Sequence, residues 1–96
     1  MINLEKVNSA TQLLKGVAHP IRLSIMEVLK PVDQMCVTDI QEKIGVEQAV
    51  VSQHLKILKD RNILGSSKEG KHIFYFIRNQ NFKNLLDLID QCNECD

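Results

Sequence analysis

The chain has 96 residues, 44% of them hydrophobic and 25% charged, with a formal net charge of zero. That is enough for one domain with a modest core, and too apolar for a disordered polypeptide. No stretch approaches the roughly 18–20 apolar residues of a membrane span, and the charged start at Glu5 and Lys6 has no apolar run ending in a small-residue cleavage site, so the compartment is read as cytoplasmic.

Apolar residues at Leu4, Val7, Ala10, Leu13, Leu14 and Val17 recur at helical spacing, predicting a first helix over residues 4–16 that Gly16 ends or bends. His19-Pro20 opens a second helix, with His19 as cap and Pro20 at the favoured first position. Ile21, Leu23, Ile25, Met26, Val28 and Leu29 cover most of its circumference, which places it in the core; Pro31 stops it. Thr38-Asp39-Ile40-Gln41 fits a capping box with Thr38 as N-cap, so a short helix runs to about Gly45. A fourth helix, from about Gln48 to Arg61, carries Val51, Leu55 and Leu58 on one face and stops at Asn62. Ile73 to Ile77 are β-branched or aromatic and Glu69-Gly70-Lys71 reads as a turn, so residues 63–78 are predicted as a two-stranded hairpin. Asn79 or Asn81 caps a last helix, over about 81–92, bearing Phe82, Leu85, Leu86, Leu88, Ile89 and Cys92.

The expected fold is therefore mainly α with a small β-hairpin, in a single domain over residues 1–96. A helix pair at 38–61 followed by a hairpin at 63–78 is the winged helix-turn-helix arrangement, in which the second helix is presented outward to a major groove. The charge distribution agrees with that reading. Residues 48–78 hold Lys56, Lys59, Arg61, Lys68, Lys71 and Arg78 against Asp60 and Glu69, whereas residues 79–96 hold Lys83 against Asp87, Asp90, Glu94 and Asp96. A positive middle beside an acidic end suits a DNA-reading element next to a separate module; chance scatter of surface charge is the alternative. The helices at 4–16 and 81–92 carry apolar stripes that so small a domain cannot cover alone, which predicts a homodimer through them.

Three segments, LLKGVAHPIRLSIMEVL at 13–29, VVSQHLKILKDRNIL at 50–64 and GKHIFYFI at 70–77, together resemble the ArsR/SmtB family of bacterial repressors, in collinear order over nearly the whole chain. The resemblance implies a homodimer on a pseudo-palindromic double-stranded DNA operator, with no cofactor required for DNA binding and with release by a metal, metalloid or redox signal. On the recognition helix, Gln48, Ser52, Gln53 and His54 are the candidates for base edges, since Gln pairs bidentately with adenine and Ser and His bond to bases or phosphates. Lys56, Lys59, Lys68, Lys71 and His72 are candidates for phosphate, which positions a protein without specifying sequence. Glu47 departs from the family's frequent capping Ser, and Gln41 stands where a small residue is common.

Metal-sensing relatives carry Cys-Val-Cys-Asp where this chain has Cys36-Val37-Thr38-Asp39, and one thiolate cannot build a three- or four-ligand soft site. At the positions matching the zinc site on the last helix stand Asn79, Asn81, Cys92 and Cys95, and neutral Asn is a poor zinc ligand. The dithiol-sensing branch places one partner Cys in the second helix, where this chain has Glu27. What remains is Cys92-Asn93-Glu94-Cys95, a C-x-x-C pair that leaves open a soft-metal or metalloid ligand pair, a redox dithiol, or two incidental cysteines. No phosphate-binding Gly-rich loop, hydrolytic metal cluster or nucleophile–base pattern occurs, so an enzyme is not expected. The competing reading is a winged-helix protein-interaction module without a sensor.

Overall fold

The computed structural model describes residues 3–78 and 80–94, and its elements follow in the order α1 (Leu4–Val17), α2 (Pro20–Leu29), β1 (Met35–Cys36), α3 (Val37–Ile44), α4 (Gln48–Asp60), β2 (Leu64–Glu69), β3 (His72–Ile77) and α5 (Gln80–Glu94). Local chemistry explains most of the boundaries. The Asn3 carboxamide caps α1 by accepting from the Lys6 amide at 3.2 Å. The His19 imidazole caps α2 by accepting from the Ile21 amide at 3.1 Å, with Pro20 just inside the helix. Gly45, at φ 78°, supplies the left-handed residue that ends α3. Asn62 does the same after α4 at φ 61°, allowing the Ile63 amide to donate to the Leu58 carbonyl at 3.0 Å.

The core is a cluster in which Ile25, Met26 and Leu29 of α2 meet Ile40 of α3, Val51, Leu55 and Leu58 of α4, and Ile63 and Leu64 at the start of β2. Phe82 and Leu86 dock α5 onto it. Lys30, at the end of α2, adds a polar clamp on α5. Its ammonium lies 2.7 Å from Asp90, 3.1 Å from Asp87 and 3.9 Å from Glu27. Hydrogen bonds to Asp90 and then Asp87 hold that ammonium well above its ordinary pKa.

Three expectations are corrected. The wing is part of a three-stranded antiparallel sheet of order β1-β3-β2, not a lone hairpin: Met35 pairs with Tyr75 and Cys36 with Phe74. Thr38 is not the cap of α3; the N-cap is Cys36, which makes no side-chain cap bond. Pairing of Met35–Cys36 with β3 carries an extended backbone straight into the helix, so the helix starts before Thr38. Gly16 does not end α1, which runs on to Val17. It lies in the helix's last turn, where a β-carbon would stand 2.6 Å from the Ile63 side chain, so its role there is close approach. Of the proposed caps of α5, Asn79 lies outside the described residues and Asn81 falls within the helix.

β2 and β3 pair from Leu64–Ile77 to Glu69–His72, leaving the two-residue turn Gly70-Lys71. Gly70 at φ 63° takes the first turn position, which an L side chain would strain. Gly65 faces Phe76 across the ladder, and a β-carbon there would run into the Phe76 ring. Gly65→Ala should therefore lower stability by about 1–3 kcal/mol through overpacking, seen as an earlier midpoint in urea unfolding. An unchanged midpoint would show that the ring can step aside.

Candidate nucleic-acid interface

α4 is amphipathic in the strict sense that its two faces have opposite surroundings. Val51, Leu55 and Leu58 have no exposed surface, while Gln48, Ala49, Ser52, Gln53, Lys56 and Lys59 are exposed. Helical spacing puts these exposed residues on one continuous outer face. Ala49 was not singled out from the sequence. It sits between Gln48 and the Ser52–Gln53 pair, and a small apolar side chain at that place fits the thymine methyl group. The wheel of α4, with Ala49 four residues before Gln53, is the signal that could have found it.

His54 is placed differently from the other predicted readers. It is partly buried, and its Nδ1 accepts a hydrogen bond from Arg22 Nε of α2 at 3.2 Å. Its ring lies 4.5 Å from the His19 ring, tilted by 38°. Burial, then the neighbouring His19 and Arg22, lower its pKa below the ordinary 6.5, so the neutral imidazole is the form that accepts from Arg22. Its position three residues after Val51 and four before Leu58, both buried, was the sequence sign that it belongs at the edge of the packed face.

The wing brings Lys68, Lys71 and His72 to the surface, with Lys71 in the turn itself. The His72 ring stands edge-on to Phe74 with centroids 6.4 Å apart. A cleft between the wing and the helix pair is lined by Cys36, Val37, Thr38, Gln48, Lys71, His72 and Ile73. It joins the tip of the wing to the first turn of α4, two places that sequence reasoning treated separately. Thr38 faces this cleft and is exposed, which adds a hydroxyl to the predicted phosphate ligands. Glu47 at the N-cap of α4 is exposed and makes no side-chain cap bond.

The family model for the arsR family of bacterial regulatory proteins matches residues 19–66. The chain belongs to that family. An uncharacterized HTH-type transcriptional regulator of Methanocaldococcus jannaschii is 34% identical over 88 residues, covering 92% of this chain and 99% of that one. The cadmium resistance transcriptional regulatory protein CadC of Listeria innocua is 36% identical over 80 residues, covering 83% of this chain and 67% of its own. Among solved structures, the transcriptional repressor PagR of Bacillus anthracis superposes with a TM-score of 0.81 at 30% identity, over 91% of this chain and 99% of that one. The winged helix-turn-helix fold, with the role of transcriptional regulator, is thus shared along nearly the full length.

At the thiol positions of the helix-turn-helix this ArsR-family chain has Cys36 and, in place of a second thiol, Thr38. Cys36 is a free, partly buried thiol, and among the described residues no three His, Cys, Asp or Glu side chains converge on one point. Cys95 lies outside the described residues. Cys92 belongs to the backbone of α5, and its side chain is not among the described ones.

The His54 environment has a consequence for stability. Its folded-state pKa is lowered, so as the pH falls through about 6.5 the unfolded chain takes up the proton first and the folded state loses its advantage. This contribution is complete above the unfolded value and is lost downwards toward the folded one. His54→Asn, which cannot titrate, should flatten that part of the profile in urea unfolding between about pH 7.5 and 5.5. Identical slopes in the two proteins would contradict the assignment.

Proposed function

We propose that this ArsR-family regulator represses transcription in the cytoplasm by binding, as a homodimer, a two-fold operator in double-stranded DNA. The observation that carries the reading is the exposed polar face of α4, set directly beside a lysine-tipped wing. Gln48, Ser52 and Gln53 read base edges from the major groove, and Ala49 meets a thymine methyl. Lys56, Lys59, Lys68, Lys71 and His72, together with Thr38, hold phosphates on either side.

The partner face is supported by what the fold leaves uncovered. Leu4 is 71% exposed, Leu14 52% and Leu88 58%, all on α1 and α5. The radius of gyration is 14.1 Å and the longest extent 50 Å, wider than the roughly 13 Å radius of a compact domain of about 100 residues. A second copy laid on α1 and α5 buries these leucines and places two reading helices on successive major grooves. Release is assigned to Cys92 and Cys95, two thiolates per chain that suit a soft metal or metalloid ion, or dithiol oxidation. The kinship with a cadmium-resistance regulator supports the metal; the acidic neighbours Asp87, Asp90, Glu94 and Asp96 favour cation capture over fast attack on oxidants.

Affinity for the chain's own upstream DNA should fall steeply with salt as phosphate contacts release counterions. Gln53→Ala should erode sequence preference by about 1–3 kcal/mol, whereas Lys71→Ala should weaken all sequences alike. Operator affinity that survives replacing Gln48, Ser52 and Gln53 together would sink the assignment of α4 in quantitative gel-shift assays.

In sedimentation equilibrium the chain should be dimeric at micromolar concentration, and Leu14→Ser with Leu88→Ser should shift it to monomer. A wild type that stays monomeric would refute the partner face.

Cadmium, arsenite or a mild thiol oxidant should weaken operator binding by wild type and leave Cys92→Ser/Cys95→Ser unaffected. The tail is not the sensor if both respond alike or wild type responds to none.

A further inference from the structure

α1 has two buried residues, Gly16 and Val17, both in its last turn. The rest of the helix projects from the domain with Leu4, Val7 and Leu14 exposed. Its direction is therefore set at one end, where α1 meets the elbow to α2. One side chain of α2 hydrogen-bonds both to that elbow and to the reading helix. Arg22 donates from Nη1 to the Gly16 carbonyl at 3.2 Å and from Nε to His54 Nδ1 at 3.2 Å. The first contact satisfies a carbonyl in the last turn of a helix, where a cation is also favoured by the helix dipole. The second ends at the middle of α4. Both donors sit on one planar guanidinium, so the two acceptors are held at a fixed mutual geometry that a flexible ammonium would not impose. The His19 ring packed 4.5 Å from His54 closes the other side.

We propose that Arg22 is a positioning residue for DNA recognition: through His54 it holds α4 at a set angle to α1, the helix that carries the partner face. The proposal rests on the reading of α4 as the DNA-contacting helix and of α1 as a dimer helix. In a two-fold dimer, any rotation of α1 against α4 is doubled across the axis, and it changes the separation of the two reading helices. That separation must match one helical turn of DNA, about 34–36 Å. His54 then acts from within the protein, and its substitution costs affinity without releasing preference at any one base pair. Acid breaks the same tie, because an imidazolium has no lone pair to accept from Arg22. The charged and titratable groups that act on His54 are His19, at the cap of α2, and Arg22, in its first turn; α1 acts through the Gly16 carbonyl that Arg22 holds.

The experiment uses a duplex selected from random-sequence DNA by the wild-type chain. Arg22→Gln and His54→Leu should each lose about tenfold in affinity, and the double variant should lose no more than either alone, as for two members of one link. The order of base preferences along the duplex should not change. His54→Asn keeps an acceptor near the place of Nδ1 and should bind close to wild type. Between about pH 7.5 and 5.5 the wild type should weaken relative to His54→Asn. Full affinity in Arg22→Gln overturns the proposal. So does a His54→Leu variant that relaxes a single base pair while Arg22→Gln binds normally, for His54 is then a base reader. Urea unfolding establishes that each variant folds; if Arg22→Gln does not, the pair His54→Leu and His54→Asn decides, and equal affinities overturn the link. A wild type that selects no duplex sinks the DNA-binding reading instead. The link is then judged by NMR titration, in which Arg22→Gln should raise the pH at which His54 protonates; an unmoved titration overturns it.

Discussion

The valine and leucines of α4 are the constraint on which the rest of the molecule depends. Val51, Leu55 and Leu58 are completely withdrawn from solvent, and each such burial stabilises the fold by roughly 1.5–3 kcal/mol. Turning α4 by one residue would expose them and push Ser52 or Lys56 into an apolar cluster that has no partner for either. The core thus decides which way the polar face looks, and the left-handed residues Gly45 and Asn62 at its two flanks fix where the helix begins and where the sheet departs. The outward polar face of α4 is in this sense a by-product of packing.

The same cluster explains why most of α1 lies bare. Its apolar residues come from α2, α3, α4, the start of β2 and one side of α5, whereas α1 contributes one side chain, Val17. Leu4, Leu13 and Leu14, further along α1, are left exposed by the described residues. Charge is sorted in the same way. The lysines of α4 and the wing point to solvent, while Lys30 is drawn in by three carboxylates from α2 and α5. A net charge of zero conceals a surface with separate basic and acidic districts.

Much of this was legible from the residues. The 3.6-residue spacing located all five helices, and the aromatic run at 73–77 located the wing, because both signals are repeated over many positions. What escaped had no period to read. Met35–Cys36 is two residues long, too short for alternation, and its pairing with β3 is decided by tertiary contact. Thr38 matched a capping pattern that the arriving strand made unnecessary. His54 was read from its chemistry, as a polar residue on a reading helix, although its place between Val51 and Leu58 put it at the packed edge. Ala49 escaped for the opposite reason: a methyl group announces nothing by type, and matters only for where it stands.

The two residues of β1 also change what kind of object the wing is. Because Met35 and Cys36 pair with Tyr75 and Phe74 in an antiparallel ladder, the strand entering α3 and the outgoing strand of the wing are stitched together before the chain continues into α5. The segment between them is a closed circuit that contains the whole reading unit. Closing such a circuit costs loop entropy that the sheet pairing and the core enclosed by it must offset. The helix-turn-helix and the wing are accordingly joined by backbone pairing as well as by side-chain packing. Cutting the hairpin back past Phe74 and Tyr75 would unpair the backbone that leads into α3, so shortening the wing that far, in evolution or by design, is a change to the whole helix-turn-helix unit.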